Sequence, residues 1–120
     1  MTKESLTAFE SFYTNHDQIQ DKFTAYWKEV SKHFSENPNI IGFNPMSNAP
    51  PGNPFYTPSI IAPGVSDRKR LAPLYEKAFM TFQANNKQSL MWFEPTSLTD
   101  ALPVFSGVVA PIGFDTPPGS

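Results

Sequence analysis

Asn39-Ile40-Ile41-Gly42-Phe43-Asn44-Pro45-Met46-Ser47-Asn48-Ala49-Pro50-Pro51-Gly52 is the stretch that decides the fold. Its first five residues, partly β-branched and bounded by turn formers, read as a short strand. The rest opens a loop, residues 44–65, that carries Pro45, Pro50, Pro51, Pro54, Pro58 and Pro63. Each proline fixes φ and lacks an N–H, so neither a helix nor a central strand is expected there. Ordered loops of this length in compact domains usually serve function. No Asp or Glu lies between Glu36 and Asp67. The strand therefore ends in a long loop that has no acid of its own.

Working outward, Ile19, Phe23, Tyr26, Trp27, Val30 and Phe34 fall on one face of a helix over Asp17–Phe34. Asn15 or Asp17 can cap its start, and Asn37-Pro38 ends it. Leu6–Tyr13 is a short helix or an extended arm. Ser66 can cap a basic turn, Asp67-Arg68-Lys69-Arg70, which is expected to be solvated. A second main helix follows, with Pro73 in its first turn and a stripe of Leu74, Tyr75, Ala78, Phe79 and Phe82. Ser89-Leu90-Met91-Trp92-Phe93-Glu94 is a continuous apolar run of the kind that forms a strand buried on both faces. Val104 to Pro111 is a third apolar run. The alternation predicts an α/β fold of about three parallel strands and two main helices, joined by right-handed crossovers. In such folds the chemistry sits beyond the carboxyl ends of the strands, here Asn44–Pro50, Glu94–Ser97 and Pro111–Asp115.

Composition narrows the function classes. The chain has 120 residues, enough for one domain with a modest core, to which eleven Phe residues contribute. A formal net charge of −2 gathers neither nucleic acid nor an anionic membrane. The Arg68-Lys69-Arg70 cluster is too short for a nucleic-acid footprint. With no Cys, and with His16 and His33 lacking neighbours at ligand spacing, no metal site or cofactor is implied. No apolar run reaches the roughly 18 residues of a membrane span. No signal-peptide pattern opens the chain, so the expectation is a soluble protein whose compartment the sequence leaves open.

Ile40-Ile41-Gly42-Phe43-Asn44 through Pro51-Gly52, then Leu74-Tyr75 and Met91-Trp92-Phe93-Glu94-Pro95, resemble the middle of a glycoside hydrolase family 5 barrel. The similarity is to the endoglycoceramidase branch. Asp21-Lys22-Phe23-Thr24-Ala25-Tyr26-Trp27 resembles that branch's helix before barrel strand four. Phe93-Glu94-Pro95 resembles the end of strand five, and Val108-Val109-Ala110-Pro111 the start of strand six. The resemblance covers nearly the whole chain. It implies one partial (β/α)8-barrel domain over residues 1–120, about the central third of an architecture that typically needs about 250 residues.

That family places Asn-Glu-Pro after strand four, its Glu serving as general acid/base. An ungapped count from Gly42 to Gly52 sets Ser47, Asn48 and Ala49 there; a one-residue shift sets Ala49 at the Glu position. Either way the position holds no ionisable group. Retaining glycosidases need two carboxyl groups about 5–5.5 Å apart, one to protonate the leaving oxygen and one to attack. The family's nucleophile lies on strand seven, beyond this chain. Asn48 or Ala49 is thus a degenerate acid/base position, and no catalytic residue is assigned. Asn44, Trp92 and Glu94 are the candidate substrate-binding residues. Glu94 reads either as a sugar-binding group or, as the lack of a partner carboxylate favours, as a structural Glu beside Pro95. Trp92 reads as a stacking platform or, as Met91 and Phe93 favour, as core.

A three-stranded piece of barrel leaves two sheet edges open, and Phe23, Phe34, Phe79 and Phe82 exceed what so small a sheet can cover. The expected partners are therefore other protein chains on the sheet edges and helix faces, with a glycolipid or β-glucoside as a possible ligand. The resulting expectation is a catalytically inactive endoglycoceramidase-like segment acting as a subunit of a larger assembly. The alternatives are part of a split or truncated active β-glycosidase of the retaining kind, and a glycan- or glycolipid-binding surface.

Overall fold

The computed structural model describes residues 2–96 and 113–119. The expected third strand, 104–111, lies outside the described residues. The N-terminal segment resolves as a helix, α1 (Lys3–Tyr13), with Thr2 as its N-cap, accepting from Ser5 N at 3.3 Å. A one-turn 3₁₀ segment, His16–Gln18, leads into α2 (Ile19–His33). Asn15 does the capping here: its Oδ1 accepts from Gln20 N at 3.0 Å and Asp21 N at 3.2 Å. β1 (Gly42–Phe43) follows, and the proline loop includes a 3₁₀ turn at Pro58–Ile61. A π-helical turn, Asp67–Leu71, runs directly into α3 (Ala72–Gln83), and β2 is Leu90–Met91.

The two strands pair in parallel, Gly42 with Leu90 and Phe43 with Met91. Both are shorter than expected, and among the described residues the sheet is covered on one face only. On the covered face, Phe43 meets Trp27 at 6.0 Å, Phe34 at 6.1 Å and Phe82 at 5.1 Å between ring centroids. Phe93 meets Tyr75 at 4.9 Å and Phe79 at 6.3 Å. The other face is open: Leu90 is 56% and Trp92 48% exposed. The continuous apolar run of β2 is thus not a strand buried on both sides within this chain. Its side chains alternate, as a pleated strand requires, and only the Phe93 side has helices against it.

The core gathers Tyr13, Ala49, Leu71, Leu74 and Tyr75, with Phe9, Phe12, Phe23, Met46, Phe93 and Phe114 packed around it. α3 buries Leu74, Tyr75, Ala78 and Phe82, four of the five expected positions. Phe82 is fully buried, contrary to the expected surplus, because Phe43 stacks on it. α1 supplies the cover the sheet lacks for Phe23, whose ring meets Phe12 edge-on at 5.2 Å. In α2 the buried side chains are Thr24 and Ser31, while Ile19 and Tyr26 of the expected stripe are exposed. Both hydroxyls donate to carbonyls of their own helix, Asp21 O at 2.9 Å and Lys28 O at 2.7 Å, so burying them leaves no donor unsatisfied.

The basic turn is not a solvated helix start. Ser66 has helical φ/ψ and caps nothing; its hydroxyl donates instead to Pro51 O at 2.7 Å. Asp67 is fully buried, and Arg70 pairs with Glu10 of α1. No helix among the described residues is long and apolar enough to cross a membrane.

Candidate strand-end site

The loop after β1 is built around carbonyls, since its prolines offer no N–H. Buried carbonyls need donors, and here side chains provide them. Tyr13 Oη donates to Pro50 O at 2.6 Å, and Ser66 Oγ to Pro51 O. Tyr75 Oη lies 3.1 Å from Glu94 O and 3.3 Å from Met46 O, between the two strand ends. Burial raises both phenols, Tyr75 to about 12 and Tyr13 further, so both remain protonated donors across the physiological range. Beyond them, Glu10 of α1 accepts from Asn53 N at 3.1 Å and pairs with Arg70, its side chain 16% exposed and that of Arg70 22%. Asn53, fully buried, donates to Thr7 Oγ1 at 3.0 Å. An acid does reach the acid-free loop, from a helix far away in sequence.

At the open end of the sheet, Glu94 is the centre of a polar cluster. Asn44 Nδ2 donates to its Oε1; Ser47 Oγ and the Asn48 N–H reach Oε2 at 3.1 Å and 3.3 Å. These donors hold the carboxyl below the usual carboxylate range, Asn44 contributing most, then the Asn48 N–H and Ser47. Asn48 adopts φ 53°, the left-handed region that Asn tolerates better than most residues. Its side chain lies against Ser47, Nδ2 to Oγ 3.3 Å.

Of the sequence candidates, Asn44, Asn48 and Glu94 come together. Ala49 does not: it is 1% exposed and packs in the core with Tyr13, Leu71, Leu74 and Tyr75. Trp92 lies two residues before Glu94, its ring over Gly42, where an added Cβ would sit 2.7 Å from the ring's Cζ3. It is neither core nor fully free, and its open side faces the same way as Leu90. Ser47 and Tyr75 belong to the arrangement and were not singled out from the sequence. A strand-end Ser beside Asn is too common a pairing to signal it. Among the described residues no group of three or more His, Asp or Glu could hold a metal ion.

Chemically, the cluster offers one ionised carboxylate surrounded by donors. It can accept hydrogen bonds from a ligand or keep the two strand ends in register. It is not set up to donate a proton, since every described bond to its oxygens favours the charged form.

No protein-family model matches the chain. Two curated proteins do, both named endoglycoceramidase, from Cyanea nozakii and Hydra vulgaris, each 29% identical over 93 residues. The match covers 78% of this chain and 18% of each relative, so the chain spans about a fifth of their length. Among solved structures, endo-glycoceramidase II from Rhodococcus sp., in complex with ganglioside GM3, superposes with a TM-score of 0.61. That match covers 98% of this chain and 24% of the other at 18% identity, and it shows a shared fold, part of a barrel enzyme. Sequence and fold agree: the chain is related to the endoglycoceramidase-like glycoside hydrolases of family 5.

Proposed function

We propose that this chain is a non-catalytic, endoglycoceramidase-like barrel segment that serves as an interaction subunit of a larger assembly. The observation that carries this reading is the state of Glu94, the carboxylate at the strand-end site. Asn44, Ser47 and Asn48 hold it ionised, and Asn48, which with Ala49 is one of the two candidates for the place of the acid, uses its N–H to do so. A retaining mechanism needs a protonated acid and a second carboxylate at about 5–5.5 Å. The open sheet face, with Leu90 and Trp92 exposed, supports the subunit half of the reading: apolar surface of this kind marks an interface. The test is an assay of the purified chain on glucosylceramide and on an aryl β-glucoside. No turnover above blank is expected; turnover that disappears in Glu94→Gln would overturn the proposal.

A second reading has its own support. The same open face carries Asn44, Trp92 and Glu94 side by side, as a sugar-facing surface would. In that reading the chain lends this face to an active glycosylceramide hydrolase whose other strands and nucleophile come from another polypeptide, or binds a glycolipid or β-glucoside without cleaving it. Co-expression with complementing barrel segments separates it from the first: recovered hydrolysis favours the split enzyme. Heat on titration with a β-glucoside in the absence of hydrolysis favours binding alone.

A further inference from the structure

Loop residues 46–50 are held at both ends by buried phenols that come from two different helices. At the first end, Tyr75 of α3 has its Oη 3.3 Å from Met46 O. At the other, Tyr13 of α1 donates to Pro50 O at 2.6 Å. Ala49 between them is buried and shares the core with both rings. Ser47 and Asn48 are exposed, and these are the residues that donate to Glu94 Oε2.

Each phenol is itself fixed. The Tyr75 ring packs against Phe93 at 4.9 Å and Phe114 at 5.7 Å, and the Tyr13 ring against Phe12 at 5.7 Å. A ring held by packing leaves its hydroxyl little freedom to follow a loop that moves. Tyr75 Oη also lies 3.1 Å from Glu94 O, the main chain of the acid itself. A phenol carries one proton, so it serves one of the two carbonyls at a time, and both must stay within its reach. One side chain thereby limits the distance between the segment that carries the donors and the residue that carries the acceptor.

We infer that Tyr13 and Tyr75 are positioning residues of the strand-end site, which set residues 46–50 so that Ser47 and Asn48 reach the Glu94 carboxylate. The inference rests on the reading of Glu94 as a fastened, ionised group. Neither hydroxyl bonds to that carboxylate; both act through the loop. Without its phenol donor, a buried carbonyl is left unsatisfied, and the loop gains by turning it toward water. Ser47 and Asn48 then leave Oε2, while Asn44, at the end of β1, keeps its bond to Oε1. Losing donors to the charged form raises the carboxyl toward its ordinary value. The charged groups facing the phenols stay in place when Phe replaces Tyr: Asp67 and Glu94 at Tyr75, and Asp67, Glu10 and Arg70 at Tyr13.

Tyr13→Phe and Tyr75→Phe each remove one hydroxyl and keep the ring. The test follows two NMR signals of the full chain through an acid titration: the Glu94 side-chain carboxyl and the Asn48 backbone amide. In the parent the amide follows the carboxyl, because it donates to it. In each variant the Glu94 midpoint is expected to move up toward the ordinary glutamate value of about 4.3, and the Asn48 response to shrink. The two substitutions together should move both signals further than either alone. Ala78→Gly, buried on the same helix α3, is the control for lost stability: it should lower the melting temperature and leave both signals where they are. A low parent midpoint that neither Tyr variant moves overturns the inference and leaves the reading of Glu94 standing. A parent midpoint at or above the ordinary value overturns both. If Tyr75→Phe does not fold, Tyr13→Phe, read in the same way, decides.

Discussion

Asn44, just past β1, and Glu94, just past β2, are bonded side chain to side chain across the open end of the sheet, amide to carboxylate. The parallel register of Gly42 with Leu90 sets Asn44 two positions short of Glu94, within side-chain reach, and the loop then folds Ser47 and Asn48 onto the second carboxylate oxygen. A single acid thus fastens the loop that follows β1.

Removing that acid should loosen the loop without unfolding the chain. Glu94→Gln keeps the shape but loses the charge that three donors face, and its amide nitrogen cannot accept from Ser47 or Asn48. Because the folded carboxyl lies below its unfolded value, ordinarily about 4.3, its contribution is present above that value and lost as pH falls through the folded one. Urea melts from about pH 7 down to about pH 3 should show a decline at the acid end that is shallower in Glu94→Gln than in the parent.

On the proposed reading, placing a carboxylate at Asn48 should not create hydrolytic activity. Asn48→Glu puts a residue ill suited to φ 53° into the left-handed region, costing roughly 1 kcal/mol, and sets a second negative charge beside Glu94. The expected outcome is a lower melting temperature and no hydrolysis of an aryl β-glucoside. A stable and active variant would contradict the proposed non-catalytic reading.

Gly42 is required for a different reason. A Cβ there would overlap the Leu90 carbonyl and stand 2.7 Å from the Trp92 ring. The carbonyl is backbone within the β1–β2 ladder and cannot step aside. Gly42→Ala should therefore cost about 3 kcal/mol, the upper end for an overpacked site, and quench or shift Trp92 emission. A loss below about 0.5 kcal/mol in a urea melt would show that the strands separate without penalty.

Two acids tie together segments distant in sequence, Asp67 fully buried and Glu10 partly so. Asp67 accepts from Thr96 N at 2.7 Å and Gly113 N at 2.8 Å, so Asp67→Ala strands two donors and should cost about 3 kcal/mol. Glu10→Gln leaves Arg70 short of its counter-charge in a mostly buried place and should cost about 2–3 kcal/mol. Coupling is the sharper readout: Glu10→Gln combined with Arg70→Met should lose less than the sum of the two.

The parts of this fold that follow local rules were legible in the sequence. Phe23, Trp27 and Leu74 to Phe82 repeat at helical spacing, Asn15 is a good cap, and a strand on each side of a helix implies parallel pairing. What depends on distant partners was not. The spacing of α2 marks Ile19 and Tyr26 as inward, yet α3 and α1 cover other positions and bury Thr24 and Ser31. Asp67 and Arg70 read as a solvated charge run because nothing local reveals that Thr96, Gly113 and Glu10 meet them. For the site, the strand ends named Asn44, Asn48 and Glu94 as candidates. Their contact joins groups 46 and 50 residues apart, which composition does not announce. Trp92 looked like core because its neighbours are apolar, but apolar neighbours in sequence do not say whether a sheet has a second layer.

The most direct test is a site-resolved titration of the Glu94 side-chain carboxyl by carbon-detected NMR in the intact chain. A carboxylate fastened by Asn44, Ser47 and Asn48 should titrate below the ordinary glutamate range, and Asn44→Ala should move it back toward that range. A carboxyl found raised toward neutrality, and unmoved by Asn44→Ala, would be one poised to give up a proton, and would contradict the non-catalytic account.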